Sequence, residues 1–215
     1  MRTALLDLDG TLVDPAEGIL SSYRHALTAM GRPDLATQPL EWVIGPSLRS
    51  CFAELLGDAD HAEAAVGHYR EVYGTTGLYQ ARRFEGIVAA LETMRASGIR
   101  LVLCTAKPQV YAARVVEHFG FTPLLDGLYG PDLAGTLDDK GDLIAHIRTK
   151  EPIDPAQTVM IGDRKFDVLA ARRHDIHAIG VTWGYGSHEE LTEAGASVLC
   201  ERTGELAATV RSLIG

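Results

Sequence analysis

The stretch MRTALLDLDGTLVD (Met1–Asp14) places two closely spaced aspartates directly after an apolar run. The run predicts a buried strand over residues 3–8, so that Asp7 and Asp9 lie at its carboxyl end. Two carboxylates at that spacing repel each other, and burial beside a strand deprives both of hydration. The stretch therefore predicts that a cation or a set of hydrogen-bond donors holds the pair.

The composition is typical of a folded protein, with 46% hydrophobic and 23% charged residues among 215. The net charge of -9 argues against a nucleic-acid polymer as the partner, because phosphate binding favours an excess of Lys and Arg. The three cysteines lack the spacing of metal ligands, which favours a reducing compartment, and no apolar run is long enough for a membrane span. We therefore expect a cytoplasmic protein with neither a membrane nor a nucleic-acid partner.

The hydrophobic periodicity changes along the chain and divides it into two parts. Residues 15–83 carry a helical pattern, whereas from residue 84 onward short apolar runs alternate with amphipathic stretches. That alternation is typical of parallel strands joined by crossover helices. We predict an α/β fold whose core, residues 1–14 and 84–215, is a three-layer Rossmann-like parallel sheet, with an inserted α-helical cap at 15–83.

Polar residues follow several of the predicted strands, at the edge where an open parallel sheet binds its ligands. Thr105 follows the run IRLVLC, and Asp163 follows TVMIG in the stretch GDRKFD, with Asp167 four residues later. Lys140 opens the predicted helix KGDLIAHI. Together with the first two aspartates, these residues bring carboxylates, a hydroxyl and an ammonium group to one edge of the sheet.

Such a set suits phosphoryl transfer assisted by Mg²⁺, which prefers oxygen ligands from one or two carboxylates, waters and a phosphate. Asp7 and Asp163 are the predicted carboxylate ligands. Asp7, at the rigid end of the strand, is also the candidate nucleophile, and Asp9 is the candidate general acid and base. Gly10 would let the backbone approach the phosphoryl oxygens, which Thr105 and Lys140 would hold.

Each feature also has a simpler interpretation. The stretch DLDGT is compatible with a turn closed by Asx hydrogen bonds and a glycine at positive φ. Asp163 and Thr105 could each cap a helix, and Lys140 could be a solvated helix residue. Caps alone do not explain why acids, a hydroxyl and an amine occur together at the strand ends of one sheet. The joint placement therefore favours the catalytic interpretation.

The same residues resemble the motifs of the haloacid dehalogenase superfamily, in its phosphatase branch. DLDGTLVD is similar to the first motif, LVLCTAKP to the second, DDKGDLI to the third and GDRKFD to the fourth, over essentially the whole chain. The resemblance implies Mg²⁺-dependent hydrolysis of a phosphate monoester. Within the branch, TAKP and IGVTWGYGS resemble phosphoglycolate phosphatases and 5'-nucleotidase-like proteins, although DDKGD lacks the prolines common in the former.

The resemblance also implies a role for each motif residue, with Asp7 as nucleophile and Asp9 as general acid and base. Asp9 would give the metal only its backbone carbonyl, and Asp167 would act through water or by orienting Lys140. The implied metal site consists of four aspartates: Asp7, Asp9, Asp163 and Asp167. The phosphate contacts that we predict come from the first three motifs: Gly10, Thr105, Ala106 and Lys140.

The helical cap is predicted to choose the substrate. Its connections to the core, near residues 14–15 and 80–84, form a natural hinge pair, with a rigid helical subdomain as the alternative. Within it, GPSLR (Gly45–Arg49) breaks the helical pattern and ends in a cation suited to a second anionic group. An exposed helical arginine is the alternative interpretation of Arg49. In TWGYGS, Trp183 and Tyr185 are candidates for the rim of the site.

The favoured function is hydrolysis of a small phosphorylated metabolite of phosphoglycolate, sugar-phosphate or nucleotide type, by a monomer or homodimer. One alternative is a phosphomutase of the same superfamily, which would keep both aspartates of the first motif. Another is a non-catalytic protein that binds phosphorylated metabolites. Dehalogenation is disfavoured, because a halide leaving group needs no proton and Asp9 is present.

Overall fold

The computed structural model describes residues 1–215, except for the side chain of Ala59. The chain forms two compact units. We call Met1–Asp14 together with Arg83–Gly215 the sheet unit, and Pro15–Arg82 the helical unit.

From residue 87 onward, helices and strands alternate along the sheet unit. In chain order, the strands are β1 (Thr3–Leu6), β2 (Val13–Asp14), β3 (Arg82–Arg83), β4 (Arg100–Cys104), β5 (Gly127–Tyr129), β6 (Thr158–Gly162), β7 (His177–Val181) and β8 (Val198–Cys200). The main sheet is parallel, in the order β5-β4-β1-β6-β7-β8, whereas β2 and β3 form a separate two-stranded sheet.

Helices of both units complete the secondary structure. The α helices are α1 (Ala16–Ala29), α2 (Pro33–Ala36), α3 (Leu48–Leu56), α4 (Ala59–Tyr73), α5 (Ile87–Ala96), α6 (Gln109–His118), α7 (Lys140–Lys150), α8 (Lys165–Arg172), α9 (His188–Ala194) and α10 (Leu206–Ile214). Short 3-10 helices lie at Glu41–Val43, Gly77–Tyr79, Thr122–Leu124, Pro155–Gln157 and Thr203–Glu205.

The core of the sheet unit lies on both faces of the sheet. Leu5 of β1 packs in one cluster with residues of α7 and α8, such as Ile144 and Val168. Because side chains alternate along a strand, Leu6 points to the opposite face, where it is also fully buried. The helices α5 and α10 contact β4 and β6. The predicted α/β fold, a parallel sheet between helical layers, is confirmed.

The strand order reverses at β1, which lies between β4 and β6. Its register aligns Leu6 with Leu103 of β4 and with Ile161 of β6. The carboxyl ends of these three neighbouring strands therefore lie level with one another. Crevices beyond such a reversal are the usual ligand sites of open α/β sheets.

The helical unit has its own aromatic core. The ring of Tyr23, on α1, lies 4.6 Å from that of Phe52 on α3 and 5.1 Å from that of Tyr69 on α4, between centroids. Tyr69 in turn stacks on Tyr73 at 5.0 Å. Such ring pairs contribute about 0.5–1.5 kcal/mol each beyond the burial of their area. The three helices are thus held together by packing within their own unit.

The cysteines Cys51, Cys104 and Cys200 are free and buried. Burial raises the pKa of the Cys104 thiol to about 12, which keeps it protonated and unreactive. Within the described part of the chain, no helix combines the length and the apolar composition needed to cross a bilayer.

Candidate active site

The predicted site residues of the core converge at the carboxyl edge of the sheet. Asp7, Thr105 and Asp163 directly follow β1, β4 and β6. The Asp7 backbone N–H extends the strand pairing by donating to Ile161 O at 2.9 Å, so the position of Asp7 is set by the sheet itself. The register of three neighbouring strands therefore brings together residues that are far apart in the sequence.

Three of the aspartates form a buried acid cluster, Asp7, Asp163 and Asp167. One carboxylate oxygen from each lies within 4.8 Å of the others. Their exposed fractions are 3%, 0% and 1%. Asp167 reaches the cluster from the first turn of α8, where its Oδ2 accepts from the Arg164 backbone N–H at 3.1 Å in a capping box. Like charges are thus concentrated where water does not reach.

The burial of this cluster is electrostatically unfavourable for the acids. Burial raises the pKa of Asp163 well above its usual range, and the negative charges of Asp7 and Asp167 raise it further. Burial also raises the pKa of Asp167, against the opposing effect of Lys140. A positive charge at the cluster would therefore stabilise the ionised carboxylates.

Lys140 supplies one such charge. It is the first residue of α7, whose N-cap Asp139 accepts from the Asp142 backbone N–H at 2.9 Å. The buried Lys140 Nζ lies 3.0 Å from Asp7 Oδ1 and donates a short hydrogen bond to Asp167 Oδ1. Burial alone would lower the pKa of Lys140, but the two carboxylates outweigh it and raise the pKa, so the amine stays protonated.

Asp9 has a partner that the sequence did not identify. Lys107 Nζ lies 2.7 Å from Asp9 Oδ2, and both side chains are largely buried. Burial raises the pKa of Asp9, and the ammonium group of Lys107 opposes that rise. The position of Lys107, two residues after Thr105 in TAKP, was the available signal. The pair places a cation beside the candidate acid and base.

Gly10 provides space for the acid cluster. It has a φ of +81°, and a Cβ atom at this position would lie 2.1 Å from Asp163 Oδ2. Its N–H donates to Val13 O at 2.8 Å, within the loop that follows β1. The structure therefore requires glycine here for the close approach of Asp163, and a phosphate contact of Gly10 stays a prediction.

The second motif lies beside the first. Thr105 is buried, its N–H donates to Tyr129 O at 3.1 Å, and its Oγ1 accepts from the Lys107 backbone N–H at 3.2 Å. Ala106, between them, is half-buried. The hydroxyl of Thr105 therefore organises the turn after β4, and the phosphate contacts of Thr105 and Ala106 remain predictions.

Trp183 and Tyr185 contact the first and fourth motifs. Trp183 Nε1 donates to Thr11 O at 3.1 Å, and Thr11 Oγ1 donates to Asp163 Oδ1 at 3.3 Å. The Tyr185 backbone N–H donates to Asp163 Oδ2 at 2.8 Å. The two aromatic residues were predicted only as rim candidates, because contacts across so many residues leave no local pattern.

Arg49 belongs to the helical unit. The break predicted at GPSLR ends earlier than the arginine, because Ser47 caps α3 and Arg49 is already helical. Its guanidinium pairs with Glu63 of α4, at 3.3 Å from Nη2 to Oε2 and in a shorter contact from Nε. A role for Arg49 in substrate binding remains a prediction.

The acid cluster fits the Mg²⁺ that the motifs imply. Among the described residues, no hydrogen bond is made to the buried Oδ1 atoms of Asp7 and Asp9, although Lys140 Nζ lies 3.0 Å from that of Asp7 in an ion pair. Hard carboxylate oxygens are the ligands that Mg²⁺ prefers. Asp7 and Asp163 are the best placed to hold the ion. Both oxygens of Asp167 already accept hydrogen bonds, which favours its role in orienting Lys140.

The sequence matches the haloacid dehalogenase-like hydrolase family over residues 4–181. A protein of Pseudomonas aeruginosa named 5'-nucleotidase is 44% identical, over 87% of this chain and 85% of the relative. A protein of Mycobacterium tuberculosis named tyrosine-protein kinase PtkA is 35% identical, over 92% of this chain and 68% of the relative. A phosphoglycolate phosphatase of Agrobacterium fabrum is 31% identical, over 85% of this chain and 81% of the relative.

Solved structures agree with the sequence relatives. A structure described as a predicted phosphatase from Clostridium acetobutylicum has a TM-score of 0.94 at 34% identity, and the match covers 99% of both chains. Both kinds of likeness extend over the strands and turns that carry the acid cluster. The chain therefore belongs to the haloacid dehalogenase-like hydrolase family and is an enzyme of its phosphatase class.

Proposed function

We propose that this protein is a Mg²⁺-dependent phosphatase that hydrolyses a small phosphate monoester through an aspartyl-phosphate. The observation that carries the proposal is that Asp7 and Asp9 each keep a buried carboxylate oxygen, Oδ1, that accepts no hydrogen bond. The Asp7 carboxylate belongs to the acid cluster and forms an ion pair with Lys140, whereas the Asp9 carboxylate forms an ion pair with Lys107 through its other oxygen, Oδ2. A nucleophile and a proton donor two residues apart are what a two-step displacement at phosphorus needs.

In the first step, an Asp7 carboxylate oxygen bonds to phosphorus and the ester P–O bond breaks. The proton of the Asp9 carboxyl group passes to the leaving oxygen. In the second step, water attacks the same phosphorus, Asp9 takes its proton, and the bond between phosphorus and Asp7 breaks. Inorganic phosphate leaves, and both aspartates return to their initial state.

The surroundings of Asp9 suit both of its roles. Burial raises the pKa of Asp9 and favours the protonated form that the first step consumes. Lys107 favours the ionised form that the second step requires. Lys140 would offset the charge on the transferring phosphoryl group, and bound Mg²⁺ would supply Lewis-acid stabilisation of the same charge.

Nucleoside 5'-monophosphates are the substrate class that we propose first. The Pseudomonas aeruginosa relative named 5'-nucleotidase supports this choice. The stretch DDKGD, which lacks the prolines common in phosphoglycolate phosphatases, makes phosphoglycolate the weaker candidate. We also propose that the helical unit selects the substrate, that Arg49 binds a second anionic group, and that the enzyme acts in the cytoplasm as a monomer or homodimer.

The direct test is release of inorganic phosphate from phosphoglycolate, sugar phosphates and nucleoside 5'-monophosphates, with and without Mg²⁺. Asp7→Asn is expected to lower turnover at least about 10³-fold, because the amide cannot form the covalent intermediate. The matched control is Asp60→Asn, at an exposed aspartate of the helical unit. An Asp7→Asn protein with a rate close to wild type on any ester would exclude the covalent mechanism.

The relative named tyrosine-protein kinase favours one second candidate, transfer of a phosphoryl group from ATP to protein tyrosine. ATP labelled on the γ-phosphate, given together with a tyrosine peptide, separates the two reactions. Label on the peptide supports the kinase, whereas an unlabelled peptide together with phosphate release from a monoester supports the phosphatase, because the γ-phosphate of ATP is held by an anhydride bond and not by an ester bond. A phosphomutase would instead require a bisphosphate primer and would release little phosphate, while a binding protein would turn over no ester.

A further inference from the structure

The segment after β7, residues 182–186, lies directly against the acid cluster. A Cβ atom at Gly184 would be 2.4 Å from the side chain of Asp163 and 2.4 Å from Gly10 O. A larger residue at this position would displace Asp163 or the loop that follows β1. The position of this segment and the orientation of the Asp163 carboxylate are therefore coupled.

Tyr185 joins two aspartates of the sheet unit. Its backbone N–H donates to Asp163 Oδ2 at 2.8 Å, and its phenol donates a short hydrogen bond to Asp14 Oδ1. Hydrogen bonds to an ionised carboxylate are stronger than those between neutral groups. Burial of the phenol and the neighbouring Asp14 carboxylate raise the pKa of Tyr185, so the phenol remains the donor.

Asp14 is the last residue of the segment that carries Asp7 and Asp9. The Tyr185 phenol therefore connects residues 1–14 to residues 182–186, and within the latter the Tyr185 backbone N–H orients Asp163. We propose that Tyr185 is a positioning residue for a divalent cation: anchored on Asp14, it holds the Asp163 carboxylate in the orientation that binds the ion. The inference rests on the proposed function, because the ion is the Mg²⁺ proposed there.

The test is calorimetric titration of Mg²⁺ into the substrate-free protein, so that the readout does not depend on turnover. Tyr185→Phe keeps the ring and the backbone N–H but removes the bond to Asp14. We expect its Kd for Mg²⁺ to rise about 10-fold, the lower end of the range for groups that orient metal ligands. Asp14→Ala should raise the Kd by about the same factor. The Kd of the double variant should lie within about twofold of the Kd of either single variant, because both substitutions remove the same hydrogen bond.

The matched control is Tyr129→Phe. This variant also removes a phenol-to-carboxylate hydrogen bond, the 2.7 Å bond from Tyr129 to Glu151, but at a pair that does not touch the acid cluster. Its Kd for Mg²⁺ should equal that of the wild type, although its thermal stability should fall. The control thus separates a general loss of stability from a loss of orientation at the metal site.

The outcomes distinguish the two proposals. If the wild type binds Mg²⁺ and both Tyr185→Phe and Asp14→Ala bind within about twofold of it, the positioning role is wrong and the proposed function stands. A loss in only one of these variants also overturns the role, because the anchor needs both groups. If Tyr185→Phe does not fold, Asp14→Ala decides. If the wild type itself binds no Mg²⁺, the metal dependence in the proposed function fails, and this inference fails with it.

Discussion

Two polar clusters of the sheet unit differ in how their charges are compensated. The acid cluster brings three carboxylates together with the ammonium group of Lys140. The second, which we call the arginine cluster, contains Arg100, Tyr129 and Glu151. There, one carboxylate accepts 2.7 Å hydrogen bonds from both the guanidinium and the phenol. One cluster thus has an excess of negative charge, and the other is nearly balanced.

The pKa shifts follow this difference. Burial would raise the pKa of Glu151, but the hydrogen bonds from Arg100 and Tyr129 outweigh it and hold the pKa below its usual range. At Asp163, burial and neighbouring acids both raise the pKa. The arginine cluster is therefore arranged to stabilise the fold. The acid cluster lowers the stability of the fold but creates a site that favours a cation. Functional sites commonly reduce stability in this way.

The largest effect is expected when the positive charge beside the acid cluster is removed. Lys140→Met should lower the free energy of unfolding by about 3–5 kcal/mol, because it leaves buried carboxylates without their ion-pair partner. Phosphate release should fall at least about 100-fold, since the ammonium group no longer offsets charge in the transition state. Urea unfolding and phosphate release measure the two effects. Lys150→Met, at the exposed end of the same helix, is the control. If Lys140→Met changes the free energy of unfolding and phosphate release no more than Lys150→Met does, the acid cluster does not depend on the lysine charge.

A smaller and opposite effect is expected at Asp163. Asp163→Asn should raise the free energy of unfolding without Mg²⁺ by about 1–2 kcal/mol, because it removes one of the repelling charges while keeping an acceptor for Tyr185. It should also abolish the stabilisation that Mg²⁺ confers on the wild type. Thermal unfolding with and without Mg²⁺ measures both. A less stable variant in the absence of Mg²⁺ would mean that the acid cluster is already compensated by the protein.

The smallest effect concerns the arginine cluster and depends on pH. Because the folded-state pKa of Glu151 lies below the ordinary 4.5, its ionised form contributes stability above that value and loses it as the pH falls through the folded-state pKa. Glu151→Gln should therefore cost about 1 kcal/mol near pH 7. Denaturant unfolding at several pH values should show this difference shrinking towards acid. Phosphate release by this variant should be unchanged. A loss of unfolding free energy that does not vary with pH would mean that the substitution acts through packing and not through charge.

Much of the site could be predicted from sequence because its residues directly follow strands. Asp7, Thr105 and Asp163 each come after an apolar run, and parallel strands place their carboxyl ends at one edge. The α/β fold was predictable for the same reason, since the periodicity of the apolar residues alternates between strand and helix. Lys140 was found from its place at the start of a helix, which also puts it at that edge.

Other contacts could not be read from the sequence. Asp9 and Lys107 form their ion pair between the loops that follow β1 and β4. Tyr185 and Asp14 form their hydrogen bond over a separation of 171 residues. Neither pair has a periodic or local signature, because side-chain partners depend on how the loops pack after the sheet has formed. The Arg49–Glu63 pair within the helical unit is of the same kind.

The sequence alone was sufficient to predict the succession of strands and helices along the chain, the motif aspartates and Lys140. These follow from local patterns of apolar and polar residues, which carry enough information to define secondary structure and strand ends. Burial, ion pairing and the carboxylate oxygens that accept no hydrogen bond became visible only in the folded structure. Those properties arise from the register of β1 with β4 and β6, and from the close approach of the segment at Gly184 to Asp163. Desolvation and charge interactions act through distance in space, and distance in space is not encoded in any local stretch of the chain.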